Sequence, residues 1–237
     1  MTKLSVNVNK IATLRNSRGG NVPNLLQVAA DIESFGAQGI TIHPRPDERH
    51  IRYQDARDLK NKVITELNIE GNPIQKFMDL VLEVKPAQVT LVPDAVDAVT
   101  SNAGWDTLKH KKFLQEVITT FKENGIRTSI FVDANVKMIQ HAAKTGTDRI
   151  ELYTESYAQD FAKGKLEGIK PFEEAAKAAH EHGLGINAGH DLNLENIRFF
   201  KENVPHLLEV SIGHALISES LYLGLDNVIN MYLNRLK

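Results

Sequence analysis

The feature that most constrains this chain is a regular alternation of short apolar runs with amphipathic stretches. Eight such pairs follow one another along the 237 residues, and each stretch repeats its apolar residues with a helical period. The pattern predicts eight strands, at Leu4–Asn9, Gly39–His43, Ile64–Glu70, Gln88–Val92, Arg127–Asp133, Arg149–Tyr153, Leu184–Ala188 and Leu207–Ile212. The predicted helices are Leu25–Phe35, Gln54–Lys62, Ile74–Val84, Leu108–Asn124, Val136–Thr145, Pro171–His182, Leu194–Glu202 and Ala215–Leu236.

Glycine marks four of the junctions between a helix and the next strand. Gly36, Gly125, Gly146 and Gly183 each follow a helical pattern, where a left-handed cap is expected. Eight units in 237 residues average about 30 each, close to the size of a unit in a (β/α)8 barrel. We therefore predict a single α/β domain over residues 1–237, a (β/α)8 TIM barrel with extra helical segments in the loops after the strands. The alternative is an open doubly wound sheet, but the Gly-rich phosphate loop usual after its first strand is missing.

The composition excludes several classes of site and partner. The chain has no cysteine, which excludes disulfides, zinc–thiolate sites and cysteine nucleophiles. Lys+Arg 28 against Asp+Glu 30 leaves a net charge of −2, so charge offers no argument for nucleic acid or an anionic membrane. No apolar run approaches the ~20 residues that span a bilayer, and the N-terminus lacks a signal-peptide core. We expect a soluble, cytoplasmic protein without nucleic-acid or membrane partners.

Alternation along the strands predicts a polar barrel interior. In a barrel, alternate strand residues point inward and the others face the helices. The apolar set must cover the helices, so the polar set points into the lumen. The predicted inward residues are Ser5, Asn7, Asn9, Thr41, His43, Glu66, Asn68, Glu70, Glu151, Tyr153, Glu209 and Ser211. Barrel interiors normally hold Val, Ile and Leu, so these polar groups must pair, hold water or bind a ligand.

Several titratable residues stand at the carboxyl ends of the predicted strands. His43 and Glu70 close strands two and three, at the end where barrel enzymes hold their catalytic groups. His190 and His214 follow strands seven and eight. Histidine titrates near neutral pH, so acid–base work is favoured over a metal site, which no His-x-His pair at these strand ends supports. Three other inward residues fit a hydrogen-bonded network as well as a function: Glu66, Asn68 and Glu209.

Two glycine-containing loops predict phosphate sites. Gly189 and Gly213 follow strands seven and eight, where barrel enzymes often bind phosphate through backbone N–H groups. Residues 43–50, after strand two, contain two arginines, whose forked guanidinium groups suit phosphate oxygens. Arg15 and Arg18 follow strand one. These separated groups predict substrates that carry two phosphates between them.

Several segments, taken in order along the chain, carry a resemblance to a known family. They are Asn7–Gly19, Gly39–Arg45, Asp47–Ile51, Leu67–Glu70, Lys85-Pro86, Leu91–Pro93, Asn187–His190 and Ile212–Ala215. Together they resemble the pyridoxine 5′-phosphate synthase family over essentially the whole chain. The resemblance implies a (β/α)8 barrel that condenses 1-deoxy-D-xylulose 5-phosphate with 3-amino-2-oxopropyl phosphate to pyridoxine 5′-phosphate, phosphate and water. It also implies no metal or organic cofactor and a homo-octamer, a tetramer of dimers.

The resemblance also assigns roles to individual residues. In the family's pattern, positions matching His43 and Glu70 accept protons and the position matching His190 donates one. The implied substrate-binding residues are Asn9, Lys10, Arg45, His50 and Thr100 for the sugar phosphate, Asn7, Arg18, Gly213 and His214 for the aminoketone phosphate, and Asp191 beside His190. Two long connections, Pro93–Thr107 and Thr154–Lys170, are predicted to act as lids, the first bringing Thr100 over the site.

The chain departs from the family's pattern in three places. Asn9-Lys10 stands where Asp-His is common, Asp191 where Gly is frequent, and Tyr153-Thr154-Glu155 where His-Thr-Gly is usual. We expect these changes to affect substrate contacts more than proton chemistry. Two other functions remain open for the same rim. One is an aldolase or isomerase acting on a phosphosugar, with Lys10 as the nearest Schiff-base candidate, and the other is a phosphoester-binding protein without catalysis.

Overall fold

The computed structural model describes residues 1–94 and 103–237 and has a closed parallel barrel at its centre. Eight strands pair in chain order within these residues. They are β1 Lys3–Asn7, β2 Gly39–Ile42, β3 Glu66–Gly71, β4 Gln88–Leu91, β5 Arg127–Val132, β6 Arg149–Tyr153, β7 Gly185–Gly189 and β8 Leu207–Ile212. The predicted (β/α)8 fold is confirmed. An open sheet is excluded, because β8 pairs with β1 in the register Ser5↔Ser211.

Eleven α-helices in the described ranges surround the barrel. They are α1 Asn9–Asn16, α2 Leu25–Ser34, α3 Tyr53–Lys62, α4 Gln75–Val84, α5 Lys111–Glu123, α6 Val136–Ala143, α7 Glu155–Ala162, α8 Lys170–Glu181, α9 Ile197–Asn203, α10 His214–Leu223 and α11 Leu225–Arg235. A 3₁₀ helix at Leu166–Ile169 precedes α8. In the described part of the chain, no helix has the length and apolar character needed to cross a membrane. Helices α1, α7 and α10 directly follow β1, β6 and β8, which confirms the predicted extra helical segments.

The sequence pattern misses α1 and α7 as elements. The first strand ends at Asn7, because the Asn7 side-chain oxygen accepts the Asn9 N–H at 3.0 Å and turns the chain into α1. Placing Asn9 in a strand with an inward side chain is therefore wrong. Helix α7 lies in a stretch predicted as a loop. It is anchored by Tyr157, which is buried and donates its hydroxyl to the Asn196 carbonyl at 2.7 Å.

The four predicted glycine joints are confirmed. Gly36, Gly125, Gly146 and Gly183 all have φ between 73° and 108°. This left-handed region is open to glycine at little cost and strains residues that carry a Cβ. Each joint ends an outer helix and returns the chain to the bottom of the next strand.

The apolar core fills the layer between the barrel and the helices. Outward-facing strand residues such as Leu4, Ile40 and Ile69 are fully buried there. The largest buried rings on the helix side include Phe121 and Phe172. Burial of this layer is the main term that stabilises the fold, and it leaves the inward strand face to polar groups.

The lower barrel interior is a network of ion pairs and hydrogen bonds. Glu66 pairs with Lys3 at 2.7 Å and also with Arg127. Above them, Thr90 donates its hydroxyl to the Asn68 side-chain oxygen at 3.1 Å. Further members of the network are Ser5, Thr41, Gln88, Arg149, Asn187 and Glu209. For Glu66, Asn68 and Glu209 the network interpretation is thus favoured, because each has partners inside the barrel.

The predicted last helix, Ala215–Leu236, is two helices. Gly224 stands between α10 and α11 with φ 82° and ψ 144°, a backbone conformation that in practice only glycine adopts. The break lets α11 turn back along α10 and pack on α2, α9 and β1. A helical period alone did not reveal it, because apolar residues stand on both sides of the break, at Leu223 and Leu225.

Gly224→Ala is expected to lower the free energy of unfolding by about 1–3 kcal/mol, because alanine must occupy a strained backbone conformation there. The matched control is Gly20→Ala, since Gly20 has an ordinary φ and a Cβ there would have no atom within 4 Å. Urea unfolding of both variants at one protein concentration measures the difference. Equal stabilities would contradict the backbone explanation.

Candidate active site

The barrel brings the predicted acid–base residues to one mouth. His43 directly follows β2, Glu70 is the penultimate residue of β3, and His190 directly follows β7. All strands of a closed parallel barrel point the same way, so these three side chains share its carboxyl end. His43 and Glu70 stand on neighbouring strands, whereas β7 lies on the opposite side of the ring from β3.

His43 is buried and its backbone is held in place. Only 6% of the residue is exposed, and its N–H donates to the Asn9 side-chain oxygen at 2.9 Å. Burial, together with the charge of Arg45, lowers the pKa of His43 well below its ordinary value. At neutral pH the ring is therefore uncharged and able to accept a proton. The Asn9 side chain, predicted to contact substrate, is engaged in positioning this histidine.

Arg45 is buried against Asp94. Its Nη2 lies 2.8 Å from the Asp94 Oδ2, and the two residues are 5% and 7% exposed. Asn72 donates its side-chain N–H to the Asp94 carbonyl at 2.7 Å, which fixes the acid from a second side. The sequence reading did not single out Asp94. The sequence shows only that Asp94 is an acidic residue shortly after the fourth predicted strand. The structure shows that it contacts Arg45 of the loop after β2.

His50 is held as a neutral hydrogen-bond donor. Its Nδ1 accepts the Ile51 N–H at 2.8 Å, which leaves the ring proton on Nε2. Burial is the largest cause that lowers the pKa of His50 to about 4. Asn16 donates to the His50 carbonyl at 2.8 Å, and Arg15 supports the same loop while it pairs with Asp55 at 2.6 Å. Arg15, expected as a basic side chain at the rim, is therefore a buried structural residue.

Glu70 and Glu151 are two carboxyls of the upper lumen that interact electrostatically. Burial and then the neighbouring Glu151 raise the pKa of Glu70 well above its ordinary value. Burial and then Glu209 raise the pKa of Glu151 to about 8. A Cβ added at Gly189 would lie 2.3 Å from the Glu151 Oε1, so Glu151 reaches the end of β7 just below His190. Glu151 thus joins the two sides of the mouth, a role that its inward position alone did not reveal.

His190 is oriented by its sequence neighbour. The His190 Nδ1 lies 2.6 Å from the Asp191 Oδ2, and this hydrogen bond lowers the pKa of Asp191. A carboxylate on Nδ1 fixes the orientation of the ring. Both residues have positive φ, 75° and 55°, a strain typical of functional sites. Thr154 donates its hydroxyl to the carbonyls of His190 and Gly189, which braces this backbone.

The first and last strands meet at a candidate anion site. A Cβ added at Gly213 would lie 3.0 Å from the Asn7 Cβ, so these two predicted residues are in contact. Gly213 precedes α10, whose first residue is the exposed His214. Backbone N–H groups at a helix N-terminus favour an anion. The structure thereby brings Asn7, Gly213 and His214 together.

Of the other predicted substrate-binding residues, Lys10 and Arg18 are exposed. Lys10 is exposed on the first turn of α1, and its charge acts on His50. Arg18 is exposed in the turn that follows α1. Thr100 lies outside the described residues. Among residues 1–94 and 103–237, no group of three His, Asp or Glu side chains has the arrangement of a metal site.

Glu151→Gln is expected to flatten the pH dependence of stability. The pKa of Glu151 rises from 4.5 to about 8 on folding, so the folded protein keeps a proton that the unfolded chain releases. This contribution is complete below pH 4.5 and is lost as the pH rises to about 8, whereas glutamine loses nothing. Urea unfolding between about pH 5 and pH 9 measures it, with the exposed Glu167→Gln as control. Parallel curves for wild type and Glu151→Gln would contradict the assignment.

Comparison with known proteins gives the family. The family model "Pyridoxal phosphate biosynthesis protein PdxJ" matches residues 4–237. Pyridoxine 5′-phosphate synthases of Flavobacterium johnsoniae and Christiangramia forsetii are each 72% identical over 237 residues, covering 100% of both chains. The N-(5′-phosphoribosyl)anthranilate isomerase of Pyrococcus furiosus aligns with TM-score 0.64 at 11% identity, over 100% of this chain and 98% of that one, which shows the fold alone. The chain belongs to the PdxJ family, that of the pyridoxine 5′-phosphate synthases.

Proposed function

We propose that this chain condenses 1-deoxy-D-xylulose 5-phosphate with 3-amino-2-oxopropyl phosphate, giving pyridoxine 5′-phosphate, inorganic phosphate and water. The observation that carries the proposal is the desolvated Glu70 carboxyl on the strand next to the neutral, buried His43. Family membership over residues 4–237 supports the same reaction. Both substrates are charged phosphate esters, which do not cross a bilayer unaided, so we place the reaction in the cytoplasm.

The acid–base groups match the steps that the reaction requires. The amine of one substrate attacks the ketone of the other, and water leaves to form an imine. Phosphate and a second water are then eliminated, and the ring closes and aromatises. Each step moves protons between carbon, nitrogen and oxygen, which one group seldom does alone.

Glu70 is suited to relay these protons. As a carboxylic acid it can donate to an oxygen that departs as water, and its raised pKa makes the resulting carboxylate a stronger base toward carbon. Glu151 lies beside it and can exchange the proton. His43, neutral at working pH, accepts a proton on the side of the sugar phosphate.

His190 donates a proton on the opposite side of the mouth. Its ring is oriented by Asp191, so the carboxylate at this position is a positioning group for the donor. The adjacent α10 N-terminus and Gly213 neutralise the phosphate of the aminoketone. Arg18 and His214 complete that site in our proposal, and Asn7 lines it.

The sugar phosphate binds at the loop after β2. Arg45 supplies charge and His50 supplies an Nε2–H donor, a combination that fits phosphate oxygens. Lys10 adds a cation nearby, and we propose Thr100 as a further residue that binds this substrate. Atoms and electrons balance between these substrates and products, so the reaction requires no redox cofactor, and we propose that none is used.

The aldolase alternative is less well supported. A Schiff-base lysine is normally desolvated. Lys10, the nearest candidate, is exposed on α1. The alternative of binding without catalysis leaves the half-buried Glu70 and the buried Glu151 without a purpose, since polar groups of this kind are costly to desolvate.

The direct test mixes purified protein with both substrates and follows phosphate release together with the absorbance of pyridoxine phosphate. Omitting either substrate is expected to abolish both signals. Glu70→Gln is expected to keep affinity for deoxyxylulose phosphate by calorimetry but to lower turnover by about 10²–10⁴-fold, because glutamine cannot carry the proton. Glu167→Gln, an exposed acid, is the control and should turn over normally. Near-normal turnover by Glu70→Gln would remove Glu70 from the mechanism.

We propose a homo-octamer built as a tetramer of dimers. Support comes from large apolar side chains exposed on two helices that pack together, α1 and α10. Leu14 is 55% exposed, Leu221 76% and Tyr222 90%. Exposed apolar residues of this size are typical of subunit interfaces. Sedimentation analysis is expected to give eight chains, and Leu221→Asp is expected to give a smaller species, whereas a monomeric wild type would refute the assembly.

A further inference from the structure

One side of the barrel mouth is apolar. It consists of Val92, just after β4, Phe131 in β5, and Tyr153 at the end of β6, and we call these three residues the apolar wall. They form a small cluster separate from the main core. Each is the uppermost inward position of its strand, since side chains alternate along β4, β5 and β6.

The apolar wall contrasts with the rest of the mouth. Phe131 and Val92 are 4% and 2% exposed, and they interrupt a barrel interior that is otherwise polar. At or just after their carboxyl ends the other strands present polar side chains or glycine, namely Asn7, His43, Glu70, Gly189 and Ser211. A local apolar surface inside a polar pocket points to a ligand with one apolar part.

The apolar wall connects the two catalytic sides. The rings of Phe131 and Tyr153 lie 5.2 Å apart, and Tyr153 meets His190 edge-on at 5.0 Å. The Tyr153 hydroxyl donates to Glu155 at 2.5 Å, so the hydroxyl is engaged away from the wall. At the other end, the Val92 N–H donates to the carbonyl of Gly71, next to Glu70, at 2.9 Å.

We propose that the apolar wall binds the C1 methyl group of the deoxy sugar, and that Val92 and Phe131 select the deoxy sugar over a sugar with a C1 hydroxyl. The inference rests on the proposed function. That methyl is the sole apolar group that either substrate carries. A phosphate at the β2 loop places the reacting carbons beside Glu70 on β3, and the methyl then falls at β4 and β5.

The expected selectivity follows from desolvation. A C1 hydroxyl would be buried against Val92 and Phe131, which offer it no hydrogen bond. An apolar pocket of this kind rejects an added hydroxyl by about 10²-fold. Wild-type protein is therefore expected to prefer 1-deoxy-D-xylulose 5-phosphate over D-xylulose 5-phosphate by about that ratio of kcat/KM.

The test measures this ratio in two variants of one residue. Val92→Thr keeps the side-chain shape and adds a hydroxyl, and Val92→Ala makes room for the larger hydroxymethyl group. Each is expected to reduce the preference about 10-fold. Mass spectrometry should then show a product one oxygen heavier, with hydroxymethyl in place of methyl on the ring. The matched control is Val89→Thr, the same change on the helix-facing side of β4, which should leave the preference unaltered.

The outcomes separate this inference from the proposed function. Wild-type protein that makes no product from the deoxy sugar would overturn the function itself. Wild-type protein that uses both sugars equally would overturn the apolar wall as a selector. The same holds if the wild-type preference survives unchanged in both Val92 variants while circular dichroism shows that they are folded.

Discussion

Desolvation inside a closed ring of strands is the constraint on which this structure depends. A barrel whose inward face is polar must satisfy those groups within the lumen. At the bottom, Glu66 does so by pairing with Lys3 and Arg127. Toward the mouth, burial and then the neighbouring carboxylates raise the pKa of Glu70 and Glu151, which favours their protonated forms. Desolvation thus leads to ion pairs at the bottom of the barrel and to carboxyls with raised pKa near its mouth.

The mouth is divided into sides with different chemistry. The loop after β2 offers Arg45 and a neutral His50, and the β8 end offers the N-terminus of α10. Between them stand the carboxyls of β3 and β6, and the neutral His43 follows β2, the strand beside β3. The apolar wall fills the side of β4 to β6. This division suits two phosphates at separated ends and a carbon skeleton that reacts between them, since each part of the ligand meets a surface of matching polarity.

Many residues around the mouth act by holding others. Asn9 fixes the His43 backbone, Asp94 holds Arg45, and Asp191 orients His190. Arg15 and Arg18 both follow β1, but Arg15 is buried and paired with Asp55, whereas Arg18 is exposed. Residue type at the rim therefore does not tell which side chain faces the ligand, because a buried cation and an available one have the same sequence signature.

The sequence by itself determined the eight strands, the glycine joints and the polar inward face, because side-chain period and left-handed turns are local properties. It also located His43, Glu70 and His190 at strand ends. It missed α1, which is short and polar and begins at a turn made by Asn7, and it missed the break at Gly224. Only the tertiary structure decided that Glu151 reaches beneath His190, that Asp94 holds Arg45, and that three apolar side chains form one wall. Those facts depend on desolvation and on contacts between strands far apart in sequence, and neither is encoded in any local pattern.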